Sequence, residues 1–339
     1  MNRLRLLGLA ALLLPTAFSF AQPSPAYQYV RVGEPADVSA QPRPGFALMG
    51  GGTDLDEAFL FLCDRSGGGD FLVLRATGDD AYNSYLRGLC HLNSVATLIV
   101  PNREAAADPF VSAAISHATA IFIAGGDQAN YINFWMNTPM QTALNEAIHR
   151  GVPIGGTSAG LAVLGEHVYT AQGDKPDDPN LDGKTAMSDP YGPRINLTRG
   201  FIDIPILKGI ITDTHFARRD RMGRLLVFLA RLNQPDGKPL PGDSTQVKGI
   251  GVEERAAVLL EPEGRAHVVG YGHAFFIDAD SAKGAPQKGK PLAYGPFTVQ
   301  KVAPGSDFYI KSWAGDAITY KISVEAGKLH SSQTANEIY

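Results

Sequence analysis

The chain has 339 residues, of which 44% are hydrophobic and 9% aromatic, and its formal net charge is -4. This length can supply one large α/β domain with additions or two domains. A mildly acidic protein binds nucleic acid poorly by charge, so we expect no nucleic-acid partner. The cysteines are Cys63 and Cys90. The sequence fits a disulfide between them and two buried free thiols equally well. No Cys/His spacing typical of zinc is present, and we expect neither metal nor cofactor.

The first 21 residues have the pattern of a secretory signal peptide. Two arginines precede an apolar run at 6–14, and small residues suit cleavage after Ala21. Cleavage would remove two arginines and no acids, which moves the net charge from -4 to -6. The apolar run is too short to span a bilayer. We therefore expect a secreted or periplasmic protein with no membrane association after cleavage.

Residues 22–44 contain five prolines and few bulky apolar groups, which predicts an extended leader. From residue 45 onward, short apolar strands alternate with helical patterns. We predict strands at 46–49, 70–75, 95–100, 120–124 and 152–154, and helices at 55–63, 81–89, 109–117, 128–136 and 140–150. This alternation predicts a parallel sheet covered on both faces. Ligands of such sheets bind beyond the carboxyl ends of the strands.

The rhythm changes in the second half of the chain. Residues 171–196 are rich in acids and proline without an EF-hand pattern, and they predict a solvated insertion near the mouth of the site. Beyond them we predict a strand at 204–212, a helix at 218–232, a strand or strand pair at 249–260, and antiparallel strands from 267 onward. The predicted domains are a signal peptide at 1–21, a leader at 22–44, a catalytic α/β domain at 45–275, and a β-rich C-terminal extension at 276–339.

The sequence Gly-Gly-Thr-Ser-Ala-Gly at 155–160 lies between a short buried strand and an apolar run. A strand that turns sharply into a helix here would project the hydroxyl of Ser158 out of the backbone, as in a nucleophile elbow. Small residues would allow the strand and the helix to approach closely. A plain glycine-rich turn has the same composition. The choice therefore depends on whether partners for Ser158 exist.

A serine nucleophile needs a base, and the chain has eight histidines. His215 follows a predicted strand and should lie at a strand end on the same side as Ser158. We expect His167 on the helix after the elbow, about 13 Å along its axis and out of reach. His149 lies toward the wrong end of the sheet. The remaining histidines lack polar neighbours in sequence and are better explained as surface or core residues: His91, His117, His267, His273 and His330. The alternative for His215 is a structural role at a strand end.

Charged residues follow both later strands. The first turns of the predicted helix at 218–232 hold four arginines, where cations oppose the helix dipole. Either acids such as Asp220 or a substrate carboxylate would offset them, and their closeness to His215 favours an anionic substrate. Glu253 and Glu254 end an apolar run, and either could orient the histidine.

Together these motifs resemble those of the cyanophycinases, in the serine peptidase family that also contains α-aspartyl dipeptidase. The shared motifs run in order over about 45–275: Gly50 to Gly52, Ala124 to Gln128, Gly156 to Gly160, Asp213 to Phe216 with the following arginines, and Gly249 to Glu254. The resemblance implies an α/β fold, a three-layer parallel-sheet sandwich like the class I glutamine amidotransferases, with a small β-rich C-terminal part. It also implies cleavage next to an aspartyl residue, including the β-linked Asp-Arg of cyanophycin.

The resemblance further implies a catalytic triad. Ser158 is the expected nucleophile, His215 the base, and Glu254 the third member, with Glu253 as the fallback. The expected oxyanion amides are those of Gly126 and Ala159.

Four residues are expected to contact an acidic or aspartyl-containing peptide: Gln128, Arg219, Arg221 and Arg224. The chain departs from the family pattern at two places. Thr214 stands where cyanophycinases usually have glutamine, and the loop at 171–196 is long. Both changes affect the substrate pocket.

Two alternatives remain beside this interpretation. The chain could hydrolyse another acidic amide or ester, or it could be a non-catalytic secreted ligand-binding protein of the same fold. A pure binding protein has no reason to keep Ser158, His215 and Glu254 together. A Rossmann nucleotide domain is disfavoured because Gly50 to Gly52 lacks the third glycine of that motif. The oligomeric state, including a homodimer, stays open.

Overall fold

A computed structural model describes residues 26–174, 180–234 and 246–339. The expected signal peptide at 1–21, the first four residues of the leader, and residues 175–179 of the acidic loop lie outside this part. No helix within it has the length and apolarity needed to cross a membrane.

The first sheet has a parallel centre. Its early strands are β1 (Gln28–Gly33), β2 (Phe46–Met49), β3 (Asp70–Arg75), β4 (Ser94–Ile99), β5 (Ala120–Ile123) and β6 (Ile154–Thr157). The central strands run parallel in the order β4-β3-β5-β6-β2, and β1 adds antiparallel to β4 at the edge. Their side chains are almost all buried, because helices cover both faces. The predicted α/β class is confirmed.

Six helices lie among these strands: α1 (Asp56–Arg65), α2 (Ala81–Leu89), α3 (Arg103–Ala106), α4 (Pro109–His117), α5 (Gln128–Trp135) and α6 (Pro139–His149). Helices α1 and α2 pack on one face of the sheet in one hydrophobic cluster, and α4 to α6 belong to a second cluster on the other face. Cys63 of α1 forms a disulfide with Cys90, which directly follows α2. The disulfide is thus the alternative that the structure adopts.

Three more helices follow, α7 (Ala159–Ala162), α8 (Gly183–Ser188) and α9 (Met222–Asn233). The later strands are β7 (His167–Tyr169), β8 (Leu197–Arg199), β9 (Ile210–Asp213), β10 (Lys248–Val252), β11 (Ala256–Leu260), β12 (Arg265–Gly270), β13 (Ala274–Asp278), β14 (Lys283–Gly284), β15 (Tyr294–Val302), β16 (Asp307–Tyr309), β17 (Ala314–Gly315), β18 (Ile318–Glu325) and β19 (Lys328–Ser331).

These late strands are shared between two sheets. The first sheet continues from β2 through β11, β12, β16 and β17, all antiparallel. The second sheet has the order β19-β18-β15-β13-β10-β9-β7-β8, with β14 paired to β15. Side chains of both sheets meet in one core cluster with α4 to α6, while α9 packs against the second sheet in another. Parallel pairing in the second sheet joins β10 to β9 and β9 to β7.

Several predicted boundaries differ from the structure. The strand expected at 204–212 is a short 3₁₀ helix (Pro205–Leu207) followed by β9, since proline cannot donate to a strand ladder. The run at 249–260 is two strands, β10 and β11, in different sheets. The helix expected from residue 218 begins at Met222. His167 opens β7 rather than lying on a helix, because α7 ends at Ala162.

Candidate active site

Ser158 lies at a sharp turn between β6 and α7, with φ 52° and ψ -117°. A methyl group on Gly156 would lie 2.5 Å from the carbonyl carbon of Gly160, and one on Gly160 would lie 2.0 Å from the carbonyl oxygen of Ile123. These distances are too short for any side chain, so glycine is required where the strand meets the helix. The turn has the shape expected of a nucleophile elbow.

The three candidate residues come from different parts of the fold. Ser158 follows β6 of the first sheet, whereas His215 follows β9 of the second. Glu254 lies between β10 and β11, where the chain passes from the second sheet to the first. The site is therefore built where the two sheets meet. His215 was expected at another strand end on the same side as Ser158, and it does follow a strand, but that strand belongs to the second sheet.

A hydrogen-bond chain joins the three side chains. Ser158 Oγ is 2.7 Å from His215 Nε2, and His215 Nδ1 is 2.6 Å from Glu254 Oε1. Glu253 points elsewhere, since its Oε2 accepts from the backbone N–H of His273 at 2.7 Å. The arrangement allows an imidazole to accept the serine proton while a carboxylate holds the opposite ring nitrogen.

Burial sets the charge state of the candidate base. His215 is only 5% exposed, and this burial lowers its pKa below the ordinary value of 6.5, although the hydrogen bond that it donates to Glu254 opposes the shift. Nearby Arg219 and Arg221 lower the pKa further. The ring is therefore neutral at pH 7, as a proton acceptor must be.

The end of β2 and the turn after it form backbone hydrogen bonds with the three segments that carry Ser158, His215 and Glu254. Three consecutive carbonyls, those of residues 49–51, accept hydrogen bonds from other segments of the site. The pairs are Ser158 N to Met49 O at 3.1 Å, His215 N to Gly50 O at 2.8 Å, and Arg255 N to Gly51 O at 2.9 Å. The glycine run at 50–52 is visible in the sequence as a motif, but its role is not, because backbone bonds between distant segments leave no local pattern.

Gly51→Ala should lower kcat by about 100-fold, since a misplacement of the reacting groups of about 1 Å can cost that much. The new methyl group would lie 2.5 Å from Cε1 of His215, in a backbone with φ +95° that disfavours side chains. Gly305→Ala is the matched control, because Gly305 has φ +83° and nothing within 4 Å of the new methyl. Hydrolysis kinetics of both variants check the prediction. Equal activity of the two would mean that His215 tolerates displacement.

A cavity of about 480 Å³ opens beside Ser158. Of the expected site residues it is lined by Gly126, Gln128, Arg219 and Arg221, and Thr214 also faces it. Ala159 is the first residue of α7, where backbone amides have no carbonyl partner within the helix. Within the described part of the chain, no group of three or more His, Cys, Asp or Glu residues is placed to hold a metal ion.

The arginines have different surroundings. Arg224 is 2% exposed, and its Nε and Nη2 donate to the two carboxylate oxygens of Asp213 at 2.7 and 2.5 Å. Burial lowers its pKa, but Asp213 outweighs this and raises the pKa above its ordinary value. Because Arg224 is enclosed and paired, the expectation that it contacts substrate does not hold here. Its charge is instead neutralised inside the protein.

Arg221 is buried but less fully neutralised. Its Nη1 donates to the carbonyl and hydroxyl oxygens of Thr214, both at 3.0 Å, and its Nε and Nη2 donate to Asn180 Oδ1 at 3.2 and 3.0 Å. The ion pair with Asp213 is 3.5 Å long. Burial, and then the neighbouring charge of Arg224, lower the pKa of Arg221. Arg219 is exposed at the cavity rim. The wall of the cavity beside Ser158 thus holds Arg219 and Arg221 together with two acids, Asp127 and Asp174.

Carboxylate partners are not specific to His215. His117, His149, His267 and His273 each contact an acid, contrary to the polar isolation expected for three of them. Among the described histidines, however, His215 is distinguished by lying between a carboxylate and a serine hydroxyl. A carboxylate neighbour alone would not have identified the site.

Comparison with known proteins adds to this geometry. Residues 82–188 match the model of peptidase family S51. Over this segment the chain is similar to that peptidase family. It is 28% identical over 189 residues to a cyanophycinase of Geminocystis herdmanii, covering 56% of this chain and 59% of that protein. It is 29% identical over 225 residues to a cyanophycinase of Synechococcus elongatus, covering 64% and 61%. The family resemblance predicted from the motifs is confirmed.

The S51 match includes Ser158 and ends before His215 and Glu254. The matched segments span less than two thirds of the length of these curated relatives. A solved structure, a peptidase from an acI-B1 actinobacterium, aligns with 80% of this chain and 98% of its own, at 19% identity and a TM-score of 0.49.

Proposed function

We propose that this chain is a secreted serine peptidase that hydrolyses aspartyl or isoaspartyl peptide bonds, of the β-Asp-Arg type, through an acyl-enzyme. The observation that carries the proposal is the hydrogen-bond chain from Ser158 through His215 to Glu254, which opens onto a cavity with arginines at its wall. The S51 match and the cyanophycinase relatives support the same reaction class.

The reaction begins with the hydroxyl of Ser158. As Oγ attacks the carbonyl carbon of the substrate, its proton passes to Nε2 of His215, and Glu254 stabilises the imidazolium through Nδ1. The amides of Gly126 and Ala159 are the proposed donors to the developing oxyanion. His215 then returns the proton to the leaving amine. Water then attacks the acyl carbon while His215 takes its proton. As the ester bond to Ser158 breaks, His215 gives this proton to Oγ, which frees the acid product.

The proposed specificity follows from the charges near Ser158. Asp213 pairs closely with Arg224 and more loosely with Arg221, so two buried cations share one carboxylate. Arg219 adds a third cation at the rim. A substrate carboxylate in the cavity would pair with Arg219 and Arg221, because buried charges need partners. An aspartyl residue at the cleavage site supplies such a group.

Secretion is part of the proposal. The pattern at 1–21 is typical of a signal peptide, and the disulfide between Cys63 and Cys90 suits an oxidising compartment.

Arg219→Ala and Arg221→Ala should raise KM for a β-Asp-Arg dipeptide and leave a neutral ester nearly unaffected. A lost ionic contact in a desolvated site costs about 2 to 4 kcal/mol, or roughly 30- to 1000-fold. For Arg219→Ala the increase in KM should lie at or below the lower end of this range, because Arg219 is exposed and water screens its charge. Arg218→Ala is the control, since Arg218 is exposed and does not line the cavity. Equal losses on both substrates would show that these arginines only support the fold.

A further inference from the structure

Tyr339 lies far from Ser158 in sequence but packs against the segment that holds the candidate base. Its ring makes edge contacts with Phe216 and Phe275, with ring centroids 5.9 and 6.0 Å apart. Phe216 directly follows His215 and belongs to the hydrophobic core of the second sheet. The residues after β19 are thus linked to the wall of the site by aromatic contacts.

The hydroxyl of Tyr339 joins the two residues on either side of Arg221. It accepts the backbone N–H of Met222 at 2.9 Å and donates to Asp220 Oδ1 at 3.0 Å. Met222 is the first residue of α9, so its N–H has no acceptor within the helix. One side chain therefore satisfies a helix amide and holds the acid that precedes the arginine.

The segment that receives these bonds is strained. Asp220 has φ +48°, a conformation that a non-glycine residue keeps only when its surroundings enforce it. Burial raises the pKa of Tyr339, so its hydroxyl keeps its proton and remains a donor to Asp220. Arg221 lies between the two anchored positions and lines the cavity beside Ser158. Loss of the bonds would free the backbone that places this charge.

We propose that Tyr339 is a positioning residue for substrate recognition: its hydroxyl fixes the backbone on both sides of Arg221 and so holds the guanidinium toward the substrate carboxylate. The inference rests on the proposed function. It assigns to the segment after β19 a part in specificity, because this segment carries the residue that holds the cavity wall. The residue acts through Arg221 and touches neither the reacting atoms nor the substrate.

The test is Tyr339→Phe, which keeps the ring contacts and removes both hydrogen bonds. We expect KM for a β-Asp-Arg dipeptide to rise by about tenfold, as for a lost hydrogen bond in a buried charged network, with kcat for a neutral ester unchanged. Tyr320→Phe is the matched control. It removes a hydroxyl bonded to the carbonyl of Ile338 at 2.7 Å, next to Tyr339, without touching the segment around Arg221.

A double mutant separates positioning from stability. If Tyr339 acts through Arg221, then Tyr339→Phe should raise KM little further in an Arg221→Ala background. Additive effects, an unchanged KM, or equal losses on the dipeptide and the ester would overturn the inference and leave the proposed function standing. A wild-type protein that hydrolyses the ester but no aspartyl peptide would overturn the proposed specificity and the inference with it.

Discussion

Ser158→Ala is expected to reduce kcat by about 10⁴-fold or more while the melting temperature stays close to that of the wild type. The hydroxyl makes one hydrogen bond, to His215, and the proposed covalent intermediate cannot form without it. Alanine fits the same space, so the elbow should persist. The measurement is steady-state hydrolysis of a β-Asp-Arg dipeptide with a thermal melt of the same sample.

Two further variants sharpen this prediction. Ser94→Ala removes another buried serine hydroxyl, one that donates to Asp70 and does not line the cavity beside Ser158, and its activity should equal that of the wild type. His215→Ala should be as inactive as Ser158→Ala, and the double mutant should lose almost nothing more, because the two residues act as one unit. Additive losses would mean that His215 only binds substrate.

Glu254→Gln should lower kcat by about 10³- to 10⁴-fold and move the acid limb of the pH profile to lower pH. The amide keeps the shape of the side chain but can favour the wrong tautomer of His215. The hydrogen bond that Glu254 accepts from His215 raises the pKa of His215 against the effect of burial. Once the carboxylate is removed, burial acts unopposed by it and the pKa falls further. Activity depends on neutral His215, so in the wild type it should fall only below pH 6.5.

Glu253→Gln provides the comparison, since the neighbouring carboxylate bonds to the backbone of His273. Its kcat and its pH profile should stay close to those of the wild type. A larger loss in Glu253→Gln than in Glu254→Gln, or an acid limb that moves upward in Glu254→Gln, would contradict the assignment.

The sequence predicted the local parts of the site well. Glycines on both sides of Ser158 predict the elbow, because the close contact between residues 156 and 160 leaves no room for a side chain. The alternating strands and helices up to residue 157 predict the parallel centre of the first sheet, because the hydrophobic pattern of each element is local. Each of these patterns is set by neighbours in sequence.

The parts that could not be predicted depend on distant pairing. A strand that ends before His215 has the same pattern whether it belongs to the first sheet or to the second. Arg255 has a positive φ at the turn where the chain passes from the second sheet to the first. Arginine does not favour that conformation, so the sequence gives no sign of the turn. Arg224 likewise has the same local sequence whether it faces substrate or pairs with Asp213. These choices are made by tertiary packing.

Labelling with a fluorophosphonate, followed by peptide mapping, tests most directly whether His215 and Glu254 activate Ser158. The reagent reacts with serine hydroxyls that a neighbouring base has made nucleophilic. We predict one modified residue, Ser158, with no labelling of Ser158→Ala and strongly reduced labelling of His215→Ala. A folded wild-type protein that stays unlabelled, or carries the label on another residue, would contradict the account.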